Sequence, residues 1–306
     1  MTGLELARRF WDDVGRPAFS SKCPGILECA AVGLAGEGSE CFGFDDEISR
    51  DHDWGPGFCL WLTDEAMERF GGEARRIYAA LPSKYMGYSR LHVTEETAGR
   101  VGVQSVRAFF TRYTGLDRAP RTVREWRIVP EAGLSVVTNG EVWHDPDGSF
   151  TEIRKTLLGY YPEQLRLKKL AAACALAAQS GQYNYSRCMR RGETVAAFSA
   201  LAEFIAQAQR TVFLLNRRFM PYYKWTHRAL CALPILGNDI GAELRALVGT
   251  YSGREERIER ISAAIIGELR RQGLSSNSGD FLLEHAAEVQ SRITDPELSE
   301  LHIMAE

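Results

Sequence analysis

The chain has 306 residues, 45% of them hydrophobic and 25% charged, with a net charge of -3. That length fills one large domain or two ordinary ones, and the slightly acidic balance gives no electrostatic case for a basic nucleic-acid surface. The seven cysteines (23, 29, 41, 59, 174, 188 and 231) are odd in number, scattered and never in Cys-x-x-Cys spacing, which speaks against a disulfide framework or a zinc site.

The opening run MTGLELARRFWDDVG has the pattern of an amphipathic helix with acidic residues, unlike a signal peptide, and no stretch is apolar for long enough to span a membrane. A reducing cytoplasm is the expected location. Residues 26–34 (ILECAAVGL) are short, apolar and followed by glycines, the pattern of a buried strand running into a tight turn. A second strand is expected at 58–62, then a helix over 64–80 capped by Thr63 or Asp64. Residues 85–95 and 100–104 alternate like strands, and a helix is expected over 105–113. Residues 135–143, with Asn139-Gly140 at the centre, read as a β-hairpin, because Asn-Gly supplies two residues that accept positive φ.

From Ser149 onward the period changes. Val195, Phe198, Leu201, Ile205, Ala208, Val212 and Leu215 recur at helical spacing, as do the apolar residues of 240–247, 257–271 and 281–293. The expected fold is α+β. A mixed sheet with flanking helices occupies 1–148 and an all-α helical bundle occupies 149–306, joined near Asp147 to Ser149. Lys168 and Lys169 open a helix as solvated charge.

The chemistry is concentrated in GEGSECFGFDDEISRDHDWG, residues 36–55. Gly36 and Gly38 let the backbone approach a phosphate, and Ser39 opens a helix whose free N–H groups suit an anion. Asp51 and Asp53, at i and i+2 on a segment expected to be extended, would point to one side and can share one or two magnesium ions. The plain alternative is a solvated turn in an acidic stretch, since Asp45, Asp46 and Glu47 lie just upstream.

A Gly-Ser turn after an apolar strand, followed by Ser49-x-Asp51-x-Asp53, resembles the site of nucleotidyltransferases of the DNA polymerase beta superfamily. With the later runs GYYP (159–162), GQYNYSR (181–187) and PYYKW (221–225), it resembles an uncharacterised bacterial nucleotidyltransferase-like family over most of the chain, to Pro234. The two-part architecture is similar to that of the aminoglycoside nucleotidyltransferases. The resemblance implies that Gly38 and Ser39 meet a nucleoside triphosphate, with Ser49 beside them, and that Asp51 and Asp53 bind Mg2+. It implies transfer of a nucleoside monophosphate, AMP from ATP, to a hydroxyl of a small acceptor, with release of pyrophosphate.

Superfamily members add a third carboxylate from a neighbouring strand. The segment aligned there, Ser89 to Thr94, offers His92 instead, as a general base or as a structural histidine. Glu125, Glu131 and Asp145 are the other candidates, Asp145 reading more simply as a turn carboxylate. In the helical half, Arg187 with its neighbours can grip phosphate or form a surface-exposed basic helix end, and Lys224, set among aromatics, is partly desolvated unless paired and, facing the cleft, would neutralise the triphosphate tail. A nucleotide-binding regulatory or scaffold protein without turnover is the second hypothesis, and AMP transfer to a protein target the third. Neither nucleic acid nor a membrane is expected as a partner.

Overall fold

The computed structural model describes residues 1–51, 54–90 and 99–306, with Asp51 described by its backbone alone. It divides into two compact units, Met1–Gly159 and Tyr160–Glu306.

Local signals at the head of the first unit explain its helices. The Thr2 hydroxyl accepts from the Glu5 amide while the Glu5 carboxylate accepts from the Thr2 amide, a reciprocal cap that opens α1 (Gly3–Phe10). A wider turn, Trp11–Gly15, leads into α2 (Arg16–Lys22). Pro24–Glu28 forms a 3-10 turn, so the strand expected over 26–34 starts late, as β1 (Ala30–Leu34). Pro24 fixes φ and Gly25 adds freedom, a pair that favours a turn over a strand entry. β2 (Cys59–Leu62) follows, then α3 (Asp64–Ala79), capped by the Thr63 hydroxyl.

Among the described residues, β3 (Lys84–Tyr85) and β4 (Tyr88–Ser89) pair only with each other. The Arg90 guanidinium donates to the carbonyls of Tyr78 and Leu81 at 2.8 and 3.0 Å, so this small hairpin closes the end of α3. β5 (Gly102–Ser105) leads directly into α4 (Val106–Thr114), with Ser105 as cap. α5 (Val123–Ile128), α6 (Glu131–Val137), β6 (Glu141–His144) and α7 (Thr151–Leu158) complete the unit.

The main sheet runs β5-β2-β1-β6, with β1 antiparallel to both neighbours and β2 parallel to β5. Strand alternation sorts β2 between two faces. Leu60 and Leu62 join Phe10, Trp11, Phe19, Ile26, Val32 and Phe58 in one core cluster. Trp61 points the other way and stacks on Phe150 at 4.1 Å, with Phe109 edge-on at 5.2 Å.

The expected hairpin over 135–143 is absent. Residues 131–137 are α6, and Asn139-Gly140 joins that helix to β6. Leu134, Val136 and Val137 are buried as helix residues, so tertiary burial overrides a turn dipeptide that suits either connection. The division between the units falls beyond Asp147–Ser149. α7 belongs to the first unit because Arg154 donates to the carbonyls of Val137, Thr138 and Gly140 at 3.0, 2.9 and 3.1 Å.

In the second unit the described elements are helical: α8 (Glu163–Ala177), a π-helical continuation Ala178–Tyr185, α9 (Ser186–Arg190), α10 (Thr194–Leu215), α11 (Tyr223–Cys231), α12 (Gly237–Gly249), α13 (Arg254–Arg271), α14 (Leu282–Ser291) and α15 (Pro296–Ser299). Among the described residues no helix is long and apolar enough to cross a membrane.

Lys168 and Lys169 overturn their reading as solvated charge: they are 0% and 5% exposed. Helix α8 is buried nearly all round, and its cations are met by residues from the far end of the chain. Lys168 donates to Gln290 Oε1 at 2.8 Å and to the carbonyls of His302 and Ile303 at 2.8 and 3.2 Å. Lys169 pairs with Glu306, which Arg210 also holds. Lys168→Met is expected to destabilise the second unit by about 3 kcal/mol, because it strips donors from buried acceptors. Proteolysis within 300–306 should become faster; a variant as resistant as the parent would contradict this.

Candidate functional site

The site is built at the end of β1. All five residues of β1 are buried, and its ladder with β6 pairs Gly33 with Val142 and Leu34 with Glu141. Two residues beyond Leu34 the main-chain ladder gives way to a side chain. The Gly36 amide donates to Asn139 Oδ1 at 3.1 Å, and Asn139 Nδ2 donates to the Gly36 carbonyl at 2.8 Å. The next residue, Gly140, donates its amide to the Cys41 carbonyl at 2.8 Å. Gly140 has φ +59°, and a Cβ there would lie 2.0 Å from the Leu34 carbonyl oxygen, so both conformation and space require glycine.

Between those two anchors runs the loop Gly36–Cys41. Gly38 precedes a 3-10 turn, Ser39–Phe42, which ends at Gly43 in the left-handed region. The Gly36 amide is therefore committed to Asn139 and is taken from any phosphate. Among the described residues nothing accepts from the amides of Glu37 and Ser39. Main-chain amides left open in a turn can form the kind of concavity that takes an anion.

Glu40 is a functional candidate that the sequence reading missed. It is 8% exposed, its Cβ packs against Gly3, and its carboxyl lies over Gly38, where a Cβ would come within 2.1 Å of Oε1. Burial pushes the Glu40 carboxyl up from its ordinary range and Asp45 adds to this; its own amide, Arg100 and Ser39 pull the other way. No local pattern in the sequence announces its burial. A group raised in the folded state contributes stability below its unfolded value, about 4.3, that is lost as pH rises through the folded value. Glu40→Gln is therefore expected to melt higher than the parent at pH 7, by roughly 2–4 °C for each kcal/mol regained. The two should converge towards pH 4, and a constant difference between pH 4 and 7 would rule this origin out.

Asp45 and Trp54 connect this loop to the acidic segment. Asp45 Oδ2 accepts from the Gly3 amide at 2.7 Å and from Trp54 Nε1 at 3.1 Å. Its other oxygen, Oδ1, is buried with no partner among the described residues. The chain that passes Asp51 thus returns beside the Gly38–Glu40 turn at Trp54 before entering β2, where Cys59 pairs with Gly33. Ser49 donates its amide and hydroxyl to Asp46 Oδ1 at 3.0 and 3.1 Å and accepts from the Asp46 amide, which shapes the turn Ile48–Asp51. Asp53, His92 and the Asp51 side chain lie outside the described residues.

The strand beside β2 is β5, whose residues Gly102–Ser105 carry no carboxylate. The expected alignment of 89–94 with that position does not hold for its described part, because Ser89 belongs to the β3–β4 hairpin. Two of the alternative acids are engaged elsewhere. Glu125 is bonded to both Arg118 Nη atoms and to the Arg121 amide, and these partners hold its carboxyl down at about 2. Asp145 accepts from the Thr151 amide at 2.6 Å at the start of α7, in keeping with a turn carboxylate, although its Oδ1 is buried and unpartnered among the described residues. Glu131 opens α6.

In the second unit, Arg187 stacks over Tyr183 at 4.6 Å, on the helical path that includes the π-helical turn. Lys224 corrects its sequence reading: it is exposed, 5.0 Å from the ring centre of Trp225, so the aromatics around it do not desolvate it. Tyr222 and Tyr223 are likewise exposed, 4.2 Å apart.

Comparison with known proteins adds two findings. A family model described as a domain of unknown function (DUF4037) matches residues 126–226, about a third of the chain. Among solved structures, the chain is similar to a nucleotidyltransferase-like protein from Exiguobacterium sibiricum 255-15, at 13% identity over 88% of this chain and 79% of that one, with a TM-score of 0.35. A likeness that slight carries no weight for fold or activity. No curated protein matches the chain.

Proposed function

We propose that the chain is a magnesium-dependent nucleotidyltransferase that moves AMP from ATP to a hydroxyl of a small acceptor and releases pyrophosphate. The observation that carries this reading is the Gly36–Cys41 loop. Its two ends are tied down, the Glu37 and Ser39 amides stay open, and the segment bearing Asp51 and Asp53 feeds the adjacent strand at the same end of the sheet.

In this reading Gly38 and Ser39 hold the triphosphate, and Ser49, locked to Asp46, shapes the turn that delivers Asp51. Asp51 and Asp53 would hold the cation. The donor set fits a hard cation, since both ligands offer oxygen, and the loop leading to them carries a further carboxylate oxygen, Asp45 Oδ1, with no partner among the described residues. Bound magnesium supplies charge neutralisation for in-line attack on phosphorus. His92 is proposed as the group that takes the acceptor proton.

The test is thermal unfolding with ATP, GTP, CTP and UTP, each with and without magnesium. A ligand at a hundred times its Kd stabilises by about 2.7 kcal/mol, so ATP with magnesium should raise the midpoint. No shift with any triphosphate would sink the proposal. One observation favours a second reading, a nucleotide-binding protein without turnover: β5 offers no acid beside β2, and Glu125 is bound elsewhere. A magnesium-dependent shift without pyrophosphate release across an acceptor screen would select it.

A further inference from the structure

Asn139 lies 103 residues from Gly36 in sequence, yet it governs the shape of the proposed phosphate loop. Its side-chain amide satisfies both main-chain groups of Gly36 in one closed pair of hydrogen bonds, at 3.1 and 2.8 Å. It thereby occupies the place in the ladder that a further residue of β6 would fill. Gly140, one residue on, ties down Cys41 at 2.8 Å. A two-residue bridge therefore fixes both ends of Gly36–Cys41 and leaves the residues between to set their amides.

The bridge has its own support. Arg154 donates to the carbonyls of Val137, Thr138 and Gly140, residues on both sides of Asn139, and among the described residues no carboxylate is bonded to it. A guanidinium bonded to carbonyls alone keeps its full charge.

We propose that Asn139 is a positioning residue for polyphosphate: it holds Gly36–Cys41 in the form whose Glu37 and Ser39 amides take a nucleotide phosphate, with Arg154 fixing the bridge and adding positive charge beside it. This rests on the function proposed above. Asn139 touches neither the phosphate nor the metal; its effect is on the shape of the loop before ligand arrives, which limits the ordering cost on binding.

The experiment compares the full-length parent with Asn139→Ala and Asn139→Asp, the latter keeping an acceptor for the Gly36 amide but losing the donor. Amide hydrogen exchange of 36–41 is measured without nucleotide, and the Kd for ATP with magnesium by calorimetry. Ser105→Ala, which removes the cap of α4, controls for loss of stability alone. In Asn139→Ala, exchange of the loop amides should rise at least about tenfold while β1 and β2 stay protected. Its Kd should weaken about 10- to 100-fold, as when a group supporting a ligand site is removed. Asn139→Asp should fall between parent and alanine variant in exchange, and Ser105→Ala should bind as the parent does. If the parent binds and Asn139→Ala binds equally well, the positioning role is wrong while the proposed function stands. If the alanine variant does not fold, unchanged exchange and affinity in Asn139→Asp overturn the positioning role in its place. A parent that binds no triphosphate removes the proposed function, and the role of Asn139 with it.

Discussion

Asp51→Asn combined with Asp53→Asn is expected to lose magnesium-dependent triphosphate binding and to retain the unfolding midpoint of the parent. Each substitution removes a negative charge and keeps the volume, so the packing of β1 and β2, which rests on apolar side chains, is left alone. A hard cation binds neutral amides far more weakly than carboxylates, and without it the triphosphate meets Glu40, Asp45 and Asp46 with its own charge unscreened. In calorimetry with ATP and magnesium the heat of binding should fall to the level of the magnesium-free titration. Unchanged affinity in the double variant would mean that the metal clamp is misassigned, whatever the parent binds.

The second large effect is on stability. Arg154→Met is expected to destabilise the first unit by about 3 kcal/mol or more. The guanidinium serves three carbonyls, and a buried acceptor left unserved costs about 1–3 kcal/mol. Burial already holds the Arg154 guanidinium below its ordinary value, at about 10, so desolvation has cost this cation something that only those hydrogen bonds offset. Five of the six tryptophans lie in the first unit, so urea unfolding followed by tryptophan fluorescence reads that unit almost alone. An unchanged urea midpoint would show that water replaces the guanidinium at those carbonyls without loss.

The legible parts of the fold were those whose signals are local. Helix α3 could be placed because Thr63 caps it and its apolar period runs unbroken, and α4 because Ser105 does the same. β2 was recognisable as a short apolar run. Asn139-Gly140 misled for the converse reason: the dipeptide encodes a turn, but which elements the turn joins is decided by the burial of Leu134 and Val137 and by partners in the loop beyond β1. Lys168 and Lys169 misled in the same way. Their acceptors lie more than 120 residues away, and no periodicity announces them. At the candidate site, the glycine turn at the end of a buried strand was legible. The burial of Glu40, the clamp by Asn139 and the absence of an acid from β5 needed the sheet order, which local patterns do not contain.

The distance in sequence between Gly36 and Asn139 has a consequence during synthesis. A ribosome adds about 5–20 residues per second, so roughly 5–20 s separate the emergence of the loop from that of the residue that shapes it. β6, which continues the same ladder, arrives only then. For that interval a nascent chain can pair β1 with β2, but its Gly36–Cys41 loop has neither anchor, and the proposed nucleotide site is not yet formed. On the function proposed above, nucleotide would stabilise the finished first unit and would not template its early folding.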